Sequence, residues 1–183
     1  MDATGLEGRH TSRYFAARSG RPHAAWTKLT AAVETATHFL AGATATTGPS
    51  NDSPQFTPVM AQAARAVDWD RVLADAAFDS EAHHAYARDE LGIRSSVIPI
   101  NPRNATGPPG GKYRSQMPRR FAPRPEGSRY KRVFGQRWQA ESAFSRHKRR
   151  LGSALGGRSD ASRERECQLR VLTHNLMLLA AHG

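Results

Sequence analysis

Four side chains in the C-terminal third could do chemistry together. Phe134, Arg137, Glu141 and Lys148 stand in the run FGQRWQAESAFSRHK. At about 100° per residue their spacing puts them on one helical stripe roughly 60° wide. No Gly or Pro follows Gly135 in this run, so it predicts one amphipathic helix over 134–148. Ala140, Phe144 and Leu151 lie on the adjoining face and can anchor that helix to a core. An aromatic ring, two cations and a carboxylate form an odd face for a helix with nothing to bind. A solvated face held by ion pairs such as Arg137–Glu141 accounts for the same residues, and the stripe alone leaves both readings open.

Two further stretches bear on the choice, MDATGLEGRHTSRYF at the start and VLADAAFDSE at 72–81. Together with aromatic-x2-Arg-x3-Glu-x6-Lys, and in this order, they resemble the motifs of DDE transposases of the IS4/IS5 type. The resemblance runs from Asp2 to about Leu179. That family usually opens its signature helix on Tyr; Phe134 keeps the ring for stacking and lacks the hydroxyl.

The resemblance implies an α/β fold, a ribonuclease H-like mixed sheet with flanking helices, as one catalytic domain over 1–183. It implies metal-dependent cleavage and strand transfer of DNA at insertion-sequence ends. Asp2, Asp75 and Glu141, one from each motif, match the catalytic and metal-holding triad. Their cofactor would be two Mg²⁺ (or Mn²⁺) ions. Such a pair activates the attacking oxygen, stabilises the leaving one and neutralises charge, and Mg²⁺ takes hard oxygen ligands. Phe134, Arg137 and Lys148 become DNA contacts beside the carboxylates, Arg as a fork and Lys as a point charge. Arg146, Arg149 and Arg150 add nonspecific attraction to the DNA backbone.

Other candidates are assigned plainer roles. Asp79 is expected as a turn or cap residue, and Glu7 and Glu81 as solvated. Adjacent His83 and His84 point about 100° apart on a helix, which argues against a shared ion and for structural or surface roles.

In the family an apolar strand leads into the first aspartate, whereas here Met1-Asp2 opens the sequence. The expectation is a domain truncated before Asp2, with its first strand largely missing and its sheet short of backbone partners. Two functions follow. One is an active transposase; the alternative is a noncatalytic fragment that binds DNA or full-length transposase, or has no role.

Composition agrees with a nucleic-acid partner. Lys and Arg number 27 against 16 Asp and Glu, a net charge of +11. A polyanion is therefore the expected partner, nucleic acid first and an anionic membrane surface second. No apolar run approaches the ~20 residues of a membrane span, and MDATGLEGRH is not a signal peptide. The expected place is the cytoplasm, at the nucleoid, with a homo-oligomer in the DNA complex. Cys167 is the only cysteine, which excludes internal disulfides and predicts a small buried side chain.

The elements that must position these residues follow from periodicity. Residues 2–25 predict a strand end and a basic, aromatic loop that suits DNA. Residues 26–34 and 38–46 predict a hairpin with Leu29, Ala31 and Val33 on one face, stopped by Gly48-Pro49. Ser53 is expected to cap a helix in which Phe56, Val59, Met60, Ala63 and Val67 repeat at helical spacing. A short strand over 71–74 ends at Asp75. Ser80 caps a helix that Gly92 terminates, and an edge strand covers 96–100. The Pro, Gly and Arg-rich stretch 101–129 predicts a long mobile basic loop. After the signature helix, SALGGRSDAS at 153–162 predicts a loop. A last helix over 163–181 is expected to pack Leu169, Leu172, Leu176 and Leu179 into the core.

Overall fold

The computed structural model describes residues 1–8, 26–104, 107–122 and 129–182. The readings that concern 9–25, 105–106 and 123–128, including Tyr14, Phe15 and their neighbouring arginines, lie outside the described residues.

Strand β1 (Asp2–Gly8) pairs antiparallel with β2 (Trp26–Val33), which pairs antiparallel with β3 (Leu40–Thr47). A two-residue strand β6 (Ala154–Leu155) runs parallel to β1 on its other side, giving the order β3-β2-β1-β6. A second, parallel pair joins β4 (Arg71–Leu73) to β5 (Ser95–Val97). The architecture is a mixed α/β one with helices flanking the sheet. The first strand departs from expectation: it is present over seven residues, and it begins at Asp2 rather than ending there. The six pairs from Asp2↔Ala31 to Glu7↔Trp26 satisfy the backbone that was expected to lack a neighbour.

Strand periodicity sorts side chains between two cores. Leu29, Ala31 and Val33 share one face, as expected, and pack with Leu6, Leu40, Ala140, Phe144 and Cys167. On the other face Met1 and Ala32 meet Phe56, Val59, Met60 and Ala63 of helix α1 (Phe56–Ala66). That helix approaches β3 so closely that a Cβ on Gly42 would lie 2.3 Å from the Val59 carbonyl oxygen. Ser53 does not cap α1. It opens a 3-10 turn over Ser53–Gln55, and no side chain caps the helix that follows. Pro54 in that first turn has no N–H to donate and shapes the entry instead.

Helix α2 (Glu81–Ala85) continues as a wider π turn over Tyr86–Glu90. Gly92, at φ 68°, ends it as expected. Ser80 stands at its N-terminus without making a side-chain cap. His83 stacks on Phe56 at 4.5 Å, and buried His84 bonds Ser96 Oγ through Nδ1 at 2.7 Å, so both are structural.

The stretch expected to be one long loop contains ordered structure. A 3-10 turn over Arg114–Gln116 leads into helix α3 (Met117–Phe121), with Tyr113 and Met117 buried. Helix α4 (Arg129–Gly135) and helix α5 (Trp138–Leu151) then take the place of the single predicted helix. Between them the N–H groups of Gln136, Arg137, Gln139 and Ala140 reach back three residues rather than four. Gly135, a poor helix former, stands where this tighter winding begins.

The last helix, α6 (Asp160–His182), corrects another expectation. Leu169, Leu172, Leu176 and Leu179 are 55–63% exposed and do not pack into the core. Cys167, His174 and Leu178 are buried instead, on the nearly opposite side of the helix. Both sides carry apolar residues at helical spacing, and the side with smaller or polar members is the one that fits the sheet. The predicted loop before it holds β6, and Glu166 Oε2 accepts the N–H groups of Gly156 and Gly157 there.

Candidate active site

Asp2 starts β1 on the face that carries Leu6, which turns it toward α5. Asp75 follows β4 by two residues, at the entrance to a 3-10 turn over Ala76–Phe78. Glu141 lies in the first turn of α5. Arg137, at the tight joint between α4 and α5, joins all three. Its Nη1 lies 2.8 Å from Asp2 Oδ2 and 3.8 Å from Asp75 Oδ2, and its Nη2 lies 2.8 Å from Glu141 Oε1. Three carboxylates distant in sequence therefore surround one guanidinium.

Burial differs across the cluster. The side chains of Asp2 and Arg137 are 16% and 23% exposed, those of Asp75 and Glu141 47% and 59%. Burial pushes the Asp2 carboxyl above its ordinary value, although the Ala3 N–H at 2.8 Å and the Arg137 charge both pull the other way. The Met1 amino group is buried beside it and donates to the Leu73 carbonyl at 2.5 Å. Burial pushes that amine down to about 6. This contact ties the start of β1 to the end of β4. Behind Arg137 and Ala140 a cavity of about 320 Å³ runs between the end of β2 and β4, lined by Met1, Val33, Trp69 and Leu73 among others.

The other predicted contacts lie outward from this cluster. Phe134 packs edge-on against Phe121, ring centres 5.0 Å apart, so its ring already has an aromatic partner. Lys148 and Arg146 are half-buried, Arg149 and Arg150 exposed, all near the end of α5. None of these four pairs with a carboxylate among the described residues. Cations in a last turn also favour the helix dipole, so their place has a structural use as well.

Two acids have more work than the sequence suggested. Asp79, with a fully buried side chain, takes a two-point ion pair from Arg114 at 2.7 and 2.8 Å and the Asn101 N–H at 2.8 Å. Burial alone would raise its carboxyl, but these bonds hold it below the usual range. Glu81 accepts the N–H groups of Tyr113 and Arg114 and is not simply solvated. Both acids clamp the segment before α3 to the turn and helix that follow Asp75. Their partners lie 22 to 35 residues away, beyond the reach of local spacing.

A family model described as the transposase DDE domain matches residues 1–176. This chain belongs to the transposase DDE domain family. No curated protein and no solved structure matches it. Membership in a transposase domain family implies a DNA substrate, and divalent metal ions serve this family's chemistry. Among the described residues, no three His, Cys, Asp or Glu side chains are arranged to hold an ion as they stand. The donor set itself is suitable: three carboxylates offer hard oxygens, and at least two of them face solvent. In this transposase domain the positive charge at their focus is the Arg137 guanidinium. No described helix is long and apolar enough to cross a membrane.

Proposed function

We propose that this domain cleaves and joins DNA strands at the ends of an insertion sequence of the IS4/IS5 type, using Asp2, Asp75 and Glu141 to hold Mg²⁺ or Mn²⁺. The meeting of these three carboxylates on Arg137 carries the reading. When bound, two such ions would activate the attacking oxygen and stabilise the leaving one. The chain's own part is to gather negative charge at one point and to bring phosphate to it. Asp2 is held in place by β1 and the Ala3 N–H, while Asp75 and Glu141 approach from the more exposed side. Arg146, Lys148, Arg149 and Arg150 lie further along α5 and would draw the DNA backbone along that helix. Phe134 borders this surface as a ring braced by Phe121. The setting is a DNA complex at the nucleoid, in the cytoplasm.

The test is Mn²⁺- or Mg²⁺-dependent nicking of duplex DNA by the chain, compared with Asp75→Asn. An amide offers the cation no charge, so activity should fall by more than about a hundredfold. Equal nicking by the variant would remove Asp75 from the catalytic role. A second reading, a noncatalytic DNA-binding fragment, is favoured by one observation: the Arg137 guanidinium already stands at the focus of the three carboxylates. DNA binding with no metal-dependent cut under any ion would decide for it.

A further inference from the structure

We propose that His38 is a positioning residue for the carboxylate cluster: it fixes the first turn of α5, and with it the approach of Arg137 and Glu141 to Asp2 and Asp75. This role rests on the reading of those carboxylates as the metal-holding site. Helix α5 starts without a side-chain cap, just after the tight joint at Gly135. A start of this kind does little by itself to fix the helix in rotation. Arg137 and Glu141 lie on one side of the first turn, and Gln139 lies about 160° round the axis from Glu141. There Gln139 Oε1 accepts the Nε2–H of His38 at 2.6 Å, from 101 positions away in sequence. Ion pairs thus draw on one side of the turn while this bond holds the other.

His38 is built as an anchor. It stands at φ 66°, alone among the described non-glycine residues in the left-handed region. Glycine would take that backbone without strain, so the reason for a histidine lies in its side chain. The turn that carries it is held from within. The His38 N–H donates to the Glu34 carbonyl at 2.9 Å, and the Glu34 carboxylate accepts the N–H groups of Ala36 and Thr37. It is also held from α6. His174 Nε2 donates to the His38 carbonyl at 3.1 Å, and Asn175 bonds both the N–H and the carbonyl of Leu40 at 3.0 Å. The His38 Nδ1 is buried with no partner among the described residues, which leaves the bond to Gln139 as the ring's one hydrogen bond there. A residue fixed by the hairpin and α6 therefore reaches the part of α5 that carries the site.

Two measurements on the full chain test this. The first is amide hydrogen exchange without metal, read at Gln139 and Ala140, whose N–H groups bond the Gln136 and Arg137 carbonyls at 3.0 Å. His38→Gly keeps the left-handed backbone and removes the ring. It should speed exchange there about three- to tenfold and leave α1 unchanged. The second is Mn²⁺ affinity by calorimetry, at a temperature where every variant is folded. It should fall about three- to tenfold in His38→Gly and in Gln139→Leu, and no further when the two are combined. His38→Gln, whose amide N–H can stand in for Nε2–H, should bind Mn²⁺ more nearly as the native chain does. Unchanged exchange in His38→Gly would overturn the proposal. So would faster exchange with native Mn²⁺ affinity, which would make the bond structural only, or losses that add in the double variant. A native chain that binds no Mn²⁺ would count against the metal-holding reading, and exchange would then decide for or against His38 by itself.

Discussion

Arg137 holds Asp2 through a 2.8 Å ion pair across 135 positions of sequence. The same side chain, assigned from sequence to grip a DNA phosphate, is turned inward onto carboxylates. Its charge stands where a divalent cation would be drawn, so the two compete. Arg137→Ala should therefore raise Mn²⁺ affinity, by about tenfold, while lowering DNA affinity. Titration calorimetry with Mn²⁺ alone, beside a duplex-binding assay, reads both. Mn²⁺ affinity that drops in the variant would mean that Arg137 organises the carboxylates instead of competing for them.

DNA binding should depend steeply on salt and little on sequence. Four cations on α5, Arg146, Lys148, Arg149 and Arg150, would give a log–log slope near about −3.6 by themselves. Replacing Arg149 and Arg150 with Ala should flatten the measured slope by about 2 on a random duplex. A slope unchanged by that double substitution would place the DNA elsewhere.

Removing the charge of Asp79 should unfold more than it appears to touch. Asp79→Asn leaves Arg114, 17% exposed, without its counter-charge and weakens the clamp on the segment before α3. Breaking such a pair from one side costs about 3–5 kcal/mol. Denaturant midpoints would register this, and a loss under about 1 kcal/mol would show that the pair is solvated in practice.

Acid should destabilise the helix pair α5–α6 through His147. Its ring is fully buried 5.6 Å from that of His174, and neither nitrogen has a partner among the described residues. Burial first, then the nearby His174, Arg170 and Lys148 charges, push it down to about 4. A folded value below the ordinary 6.5 means that the unfolded chain takes up the proton first. Stability then falls as pH drops from about 6.5 to about 4 and levels off below that, by up to about 3 kcal/mol for this group. His84, also pushed down to about 4 by burial, adds to the same trend. His147→Leu should flatten the slope and cost little at pH 7, since no described hydrogen bond is lost. An unaltered pH profile in that variant would contradict this account.

Local signals were legible in the sequence wherever the cause was local. Alternation at Leu29, Ala31 and Val33 marked the inner face of the hairpin, and helical spacing marked Phe56, Val59, Met60 and Ala63. Gly92 ended its helix for the reason that left-handed backbone favours glycine. The leucines of α6 misled because periodicity says that a face is apolar and not what covers it. Asp79 and Glu81 were missed because their partners arrive through a stretch whose composition reads as loop. The three motifs singled out Asp2, Asp75 and Glu141 by type and order alone, and the fold brings them to a common guanidinium.

The register of β1 deserves a last consequence, for the tolerance of this gene to small insertions and deletions. Asp2 and Leu6 lie on one face of the strand, opposite Ala31 and Thr27, and Leu6 is wholly buried. Loss of one residue between them would keep the strand and let Leu6 hold its place in the core. The aspartate, however, would then point through the sheet toward α1, and Arg137 would meet a neighbour instead. Three consecutive nucleotides removed from the codons for 3–5 would thus leave a domain that still folds yet has lost one corner of its carboxylate cluster. A two-residue change would shorten the reach but keep the sidedness. Variation in length at this strand should run in even steps.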